Sequence, residues 1–218
     1  MSGSFPVFDA ACQHLIAAIA PKRALDIGAG SGKYGRLLAS EAPGCERIAI
    51  EIEADHVERF GLRELYHRVD VNDAMAWWQA QADEAFDLVI AGDCLQQMPK
   101  SAGLDLLNAL VYRASYLLLV VPEFVVQGAV DGRSSAVHRS VWSERDLHWH
   151  DLWAWDNTRS ATLMLLRGYR AAAHPLDALV RTLNEAHVPL RDYDGASLVR
   201  PCRLRLVDHG REAVYRQR

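Results

Sequence analysis

The chain has 218 residues, half of them hydrophobic and 24% charged, with a formal net charge of −4. That apolar share excludes wholesale disorder, and the acidic balance excludes broad, non-specific binding to nucleic-acid phosphates, which needs clustered cations. No apolar run approaches the roughly 20 residues that cross a bilayer, and Met1 to Asp9 lacks the basic start and apolar core of a secretion signal, so a cytoplasmic protein with no membrane partner is expected.

Phe8 to Ala20 reads as an amphipathic helix, with Leu15, Ile16 and Ile19 at helical spacing and Pro21 as its stop. Ala24 to Ile27 is a short buried strand running into glycines. Lys33 to Ser40 is helical, Arg47 to Ile52 a second strand, Ala54 to Leu62 a helix and Tyr66 to Val71 a third strand. Asn72-Asp73 opens a helix to Ala82. Phe86 to Ala91 is the fourth strand, Ser101 to Tyr112 a helix, and Ser115 to Val121 a fifth strand, apolar enough to be covered on both faces. Five alternations of strand and helix describe a doubly wound parallel sheet with right-handed crossovers.

The rhythm changes after Pro122. Glu123 to Arg145 reads as a long loop, with a short helix over Ser143 to Leu147 opened by the Ser143-x-x-Asp146 capping spacing. Strands around His148–Trp155 and Ala161–Arg167 flank the turn signal Asp156-Asn157-Thr158. A helix over Leu176 to Ala186 and a strand over Arg203 to Val207 follow. Residues 168–218 carry nine Arg and six acidic residues, a net of +3 against −7 for residues 1–167. The chain therefore divides into a body, 1–167, and an extension, 168–218. Leu176, Leu179, Val180 and Leu183 form one apolar face that must be covered. The extension docks on the body, pairs two subunits as a homodimer, or contacts an anionic acceptor through Arg200, Arg203 and Arg205; solvated edge charges are the other reading of those arginines. Cys12, Cys45, Cys94 and Cys202 stand too far apart for a zinc site or a redox pair and are expected as free, buried thiols.

Asp26-Ile27-Gly28-Ala29-Gly30-Ser31-Gly32 joins the first strand to its helix. Glycines there permit a tight turn and let a ligand touch backbone, and the helix start offers unpaired N–H groups. Glu51, 19 residues after Gly32, ends the second strand, where a carboxylate can accept bonds from both ribose hydroxyls. Gly30 to Gly35 also satisfies the dinucleotide fingerprint G-x-G-x-x-G. The Asp26 carboxylate argues against that ligand, because it would repel a pyrophosphate. It suits a ligand carrying an ammonium and a sulfonium.

Leu25 to Gly32 (LDIGAGSG) resembles motif I of the class I S-adenosylmethionine-dependent methyltransferases of the small bacterial type, and Phe86 to Pro99 (FDLVIAGDCLQQMP) resembles the family's fourth strand and loop. The resemblance spans about residues 8–167. It implies a Rossmann-like, doubly wound, seven-stranded, mostly parallel α/β sheet, here with a C-terminal antiparallel hairpin and the extension. It also implies S-adenosylmethionine as cofactor. Gly28, Ala29, Gly30 and Gly32 would meet its methionine moiety, with Asp26 near the amino group. Lys33 and Tyr34 would reach the carboxylate end or face solvent. Glu51 would hold the ribose, Ile52 would pack on the adenine, and Asp70 with Val71 would take the adenine edge. Asp93 and Leu95 would border the reacting methyl.

The acceptor is expected to be a small polar molecule, methylated most readily on oxygen. Family members acting on base amines carry Asn-Pro-Pro-aromatic after strand four; Gly92-Asp93-Cys94-Leu95 stands here, and no nucleic-acid partner is expected. Metal-assisted O-methylation would need acids after strands four and five. Asp93 fits the first position, but Asp156-Asn157 reads better as a turn, so no metal is expected. Val137 to Trp155 holds four of the six Trp and three of the nine His. His138-Arg139-Ser140-Val141-Trp142 resembles a substrate-side motif after strand five. His138 is the candidate general base, or it holds its own loop. Trp142 walls the acceptor pocket or plugs the core. Gln97 is the other candidate substrate contact; Gln96-Gln97 stand where related enzymes often carry Glu-His. His148 and His150 read as an exposed strand face, and Trp77-Trp78 as core. The alternatives are an NAD(P)-dependent oxidoreductase, disfavoured by Asp26 and by the lack of a Tyr-x-x-x-Lys pair, and a methyltransferase-like module that only binds.

Overall fold

The computed structural model describes residues 5–209 apart from 82, 124, 131, 133 and 193. Ala82, the end of one expected helix, and residues 210–218 of the extension lie outside the described residues. In chain order the elements are α1 (Asp9–Ile19), β1 (Arg23–Ile27), α2 (Lys33–Glu41), β2 (Glu46–Glu51), α3 (Ala54–Arg59), α4 (Leu62–Leu65), β3 (Arg68–Val71), α5 (Ala74–Ala80), β4 (Phe86–Gly92), α6 (Lys100–Leu110) and β5 (Ala114–Pro122). Then come β6 (Leu152–Asn157), β7 (Ala161–Arg167), α7 (Leu176–Glu185), β8 (Pro189–Arg191), β9 (Leu198–Pro201) and β10 (Arg205–Asp208).

The local signals act where the sequence places them. The Ala20 N–H closes the last turn of α1 onto the Ile16 carbonyl at 2.9 Å before Pro21 ends it. Asp73 caps α5 by accepting from the N–H groups of Met75 and Ala76. Ser143 and Asp146 make the reciprocal capping box. The helix expected over Ala54 to Leu62 ends at Arg59, and after Gly61 a short helix that the sequence did not signal, α4, runs over Leu62–Leu65.

Eight strands form the main sheet, in the order β10-β6-β7-β5-β4-β1-β2-β3. The five strands from β3 to β5 run parallel, and β7, β6 and β10 run antiparallel to their neighbours. Every residue of β5 is buried, because helices cover both faces of the sheet centre. One face packs on α1, α2 and α7, the other on α5 and α6 with Trp77, Trp142 and Trp153.

The expected sheet of seven strands gains an eighth from the extension. The strand at Arg205–Asp208 lies antiparallel on Leu152–Trp155. The apolar face of α7 (Leu176, Leu179, Val180, Leu183) is buried in the α1 layer. A small hairpin, β8 with β9, has no counterpart in the sequence reading; it is too short to show a period. β6 starts at Leu152, not at His148, because residues 148–151 turn beneath it. His150 is therefore core, with Nε2–H donating to the Arg167 carbonyl at 2.7 Å, and burial lowers its pKa. No helix among the described residues is long and apolar enough to cross a membrane.

Asp156, 1% exposed at the end of β6, ties the extension down. Its oxygens accept two bonds from the Arg200 guanidinium at 2.8 Å, one from the Arg203 N–H at 2.8 Å and one from the Asn157 N–H at 2.9 Å. Arg200 thus serves this clamp, and Arg205 stacks over Trp155, its guanidinium carbon 4.4 Å from the ring centre. Removing one partner of a bidentate pair strands a buried charge. Arg200→Ala is expected to cost about 2–3 kcal/mol in urea unfolding. Arg203→Ala, which keeps its backbone N–H, is expected to stay within about 0.5 kcal/mol.

Candidate active site

β1 lies between β4 and β2, so the chain's crossovers diverge to opposite sides at this point. Loops leaving the carboxyl ends of these strands part and open a crevice, the general ligand position in doubly wound sheets. A cleft of about 440 Å³ occupies it. Gly28, Ala29 and Gly30 line it after β1, Glu51 and Ile52 after β2, Gly92 and Asp93 after β4, and Pro122 after β5. The segment after β5 contributes Gln127, Val130, Ser135 and His138.

Gly28 and Gly30 sit at φ of 71° and 51°, where a side chain is strained. A Cβ on Gly28 would also stand 2.8 Å from the Cys94 Cβ. The loop is anchored to β2 on both sides. Gly28 and Ala29 donate to the Ile50 carbonyl at 2.8 and 3.2 Å, and Gly30 N–H donates to Glu51 Oε2 at 2.6 Å. Glu51 Oε1 accepts from the Glu53 N–H at 2.9 Å, and His56 Nδ1 lies 3.4 Å from the same oxygen. Glu51 is 4% exposed and Ile52 is 52% exposed, so a carboxylate and an apolar side chain meet at the lip of the cleft. The Tyr34 ring lies flush against Gly92, where a Cβ would overlap it.

Asp93 holds a left-handed backbone, φ 56°, which a non-glycine residue adopts at a cost. Its N–H donates to Val120 O at 2.8 Å, and Gln97 Nε2 donates to its carbonyl at 3.3 Å. His138 Nδ1 is 2.7 Å from the Val125 carbonyl. A carbonyl only accepts, so the proton sits on Nδ1 and the neutral ring keeps its lone pair on Nε2.

Six expected site residues stand elsewhere. Asp26 is fully buried under the loop, where Tyr66 Oη donates to its Oδ2. Its Oδ1 has no partner among the described residues. Burial pushes its pKa up from 3.8 to about 7; the Tyr66 bond opposes the shift and the Glu51 charge adds to it. Gly32 faces α4, and a Cβ there would lie 2.7 Å from Leu65. Asp70 accepts from Trp77 Nε1 at 2.6 Å and pairs with Arg68 at 3.0 Å, off the cleft, while Val71 is exposed beyond it. Leu95 is core between the sheet and α6. Trp142 plugs that core at 1% exposure, against Gly103 and with Lys100 Nζ 4.0 Å from its ring centre.

Conversely, Phe5, Pro6, Glu53 and His56 line the cleft without having been singled out, as does Gln96, which the sequence named only beside Gln97. Glu53 and His56 follow Glu51 closely enough to have been found by proximity; Phe5 and Pro6 carry no motif. Ser135 Oγ donates to Glu53 Oε1 and joins the long loop to the end of β2.

No protein-family model matches the chain, and a search of curated proteins finds no match. Solved structures do match. The complex of DhpI with S-adenosylhomocysteine is 18% identical with a TM-score of 0.57, over 75% of this chain and 86% of that one. The plantazolicin methyltransferase BpumL, also with S-adenosylhomocysteine, is 12% identical with a TM-score of 0.56, over 75% and 85%. A SAM-dependent methyltransferase from Archaeoglobus fulgidus is 15% identical with a TM-score of 0.54, over 71% and 94%. The chain has the fold of the class I S-adenosylmethionine-dependent methyltransferases.

Asp26 makes the free fold sensitive to pH in a direction opposite to most carboxylates. Between 3.8 and about 7 the unfolded chain loses this proton while the folded chain keeps it, so stability falls as pH rises through that window and levels off above it. Asp26→Asn removes the loss. Its melting temperature relative to the natural chain is expected to improve by at least about 3 °C between about pH 4.5 and about pH 8, read by thermal melts.

Proposed function

We propose that the chain transfers a methyl group from S-adenosylmethionine to an oxygen of a small polar molecule. The observation that carries this reading is the cleft at the carboxyl ends of β1, β2 and β4, where the left-handed Gly28 and Gly30 face the Glu51 carboxylate beside an exposed Ile52. Four features fit that cofactor. The two glycines leave backbone open to a close approach. Each Glu51 oxygen spends one lone pair on a backbone N–H; Oε2 keeps another for a ribose hydroxyl, while Oε1 also faces His56 Nδ1 at 3.4 Å. The unpartnered Asp26 Oδ1 beneath the loop is an acceptor suited to an ammonium group reached through water. Ile52 offers an apolar surface to the adenine, with Val71 and Asp70 further out along the same edge.

When bound, S-adenosylmethionine supplies an electrophilic methyl group on a sulfonium. The protein's task is to hold the acceptor oxygen in line and take its proton. His138 is the base: the Val125 carbonyl holds the proton on Nδ1 and leaves Nε2 to accept the hydroxyl proton. Asp93, held in a strained conformation at the end of β4, and Gln97 border the acceptor side.

Calorimetry is expected to show binding of S-adenosylmethionine and S-adenosylhomocysteine, and no binding of either at millimolar concentration would overturn the proposal. Glu51→Ala is expected to weaken that binding by about 2–3 kcal/mol, the worth of hydrogen bonds to a charged group. His138→Ala is expected to leave cofactor affinity unchanged and to slow methyl transfer at least about 100-fold. That rate is measured by mass spectrometry on a pool of small hydroxyl compounds; an unchanged rate removes His138 from the reaction.

A further inference from the structure

Gln96 is buried in the wall of the cleft, and its side-chain oxygen has no hydrogen-bond partner among the described residues. It stands in the single turn Leu95–Gln97 after β4, is 3% exposed, and lines the cleft. Its backbone carbonyl is well used, accepting from the N–H groups of Arg139 at 2.7 Å and Ser140 at 3.1 Å. Ser140 Oγ reaches back to the Met98 carbonyl at 2.8 Å, so residues 139 and 140 are stitched onto the loop after β4. The side-chain amide is different: its oxygen is buried without a hydrogen-bond partner among the described residues. Of the other orphaned buried atoms, Asp26 Oδ1 lies beneath the glycine loop, and His14 Nε2 and Trp153 Nε1 lie away from the cleft. Only an outside partner offsets the lost hydration of an amide held in this way.

We infer that Gln96 is a specificity-determining residue that hydrogen-bonds the methyl acceptor, and that the acceptor is a molecule with a second hydroxyl next to the one that is methylated. The inference rests on the proposed methyl transfer and extends it to the class of acceptor. The Arg139-to-Gln96 bond joins the two backbones one residue from His138, and both side chains line the same cleft. A substrate whose hydroxyl meets His138 Nε2 therefore brings its neighbouring atoms to the Gln96 amide. An amide both donates and accepts, and matches a hydroxyl in either sense. An acceptor with a lone hydroxyl on an apolar body leaves the amide unmatched, and a site built to bond a hydroxyl rejects such an analogue strongly.

The test separates this role from a structural one. Gln96→Leu keeps the volume and removes the unmatched amide, so its urea midpoint is expected to equal or exceed that of the natural chain. A clearly lower midpoint would mean that the amide is satisfied within the fold, and would overturn the inference. In parallel, the protein saturated with S-adenosylhomocysteine is titrated with catechol and with phenol, and with 1,2-cyclohexanediol and cyclohexanol. The Gln96 side-chain amide signal, assigned by its loss in Gln96→Leu, is followed by NMR. It is expected to move with at least one diol and at least tenfold less with the matching mono-alcohol. No movement with either diol, or equal movement with both members of a pair, would overturn the inference. Calorimetry with S-adenosylhomocysteine is run on both proteins. Absence of cofactor binding would count against the methyl-transfer reading, whereas a normal cofactor isotherm with a silent Gln96 signal would count against this inference alone.

Discussion

A single carboxylate connects the loop that follows β1 to the strand beside it. Glu51 takes the Gly30 N–H on one oxygen and the Glu53 N–H on the other. These two bonds hold the glycine loop in its left-handed course and fix the turn out of β2. The positions of Ile52, Glu53 and His56 along the cleft follow from that turn. Ser135 in turn reaches Glu53, so even the long segment after β5 is referred back to the same point. A charge-assisted bond to a backbone N–H is stronger than a neutral one, and a strand end supported by parallel neighbours is a rigid place from which to make it.

Around this anchor the fold keeps several polar groups in unfavourable settings. Asp26 is buried with one oxygen unpartnered and its pKa near 7. Asp93 is held at a positive φ, and the Gln96 amide oxygen has no partner among the described residues. Each lies at or under the carboxyl ends of β1 and β4. The sheet centre over-determines the backbone there, because β4 and β5 are packed on both faces by two apolar layers. Rigid packing of this kind is what lets strain and unmet hydrogen bonds persist where a ligand can relieve them.

The extension shows the reverse economy. Its arginines looked available for an anionic ligand. Arg200 instead satisfies Asp156, and Arg205 covers Trp155. The Asp156 clamp, the β10 ladder on β6 and the buried face of α7 together fasten the extension to the body, with β10 at the sheet edge and α7 in the α1 layer. The positive charge of the extension is in part a response to a buried acid at the end of β6.

Much of this was legible in the chain alone. Alternating apolar runs and helical periods marked α1 through β5, because burial on both faces of a parallel sheet demands nearly continuous apolar strands. The glycines after β1 and the acid ending β2 marked the cleft, since only a tight turn and a strand-end carboxylate meet that spacing. Tertiary structure decided the rest. Whether a side chain at a motif position faces the cleft or the core depends on neighbours distant in sequence. Gly32 meets Leu65, Leu95 meets α6, Trp142 meets Gly103, and Asp26 meets Tyr66. The same holds for Gln96, which the sequence placed in the right loop, but whose unmatched amide oxygen emerges only when residues 139 and 140 fold back onto it. Periodicity reports which face of an element is buried; it carries no information about which partner, if any, a buried polar atom will find.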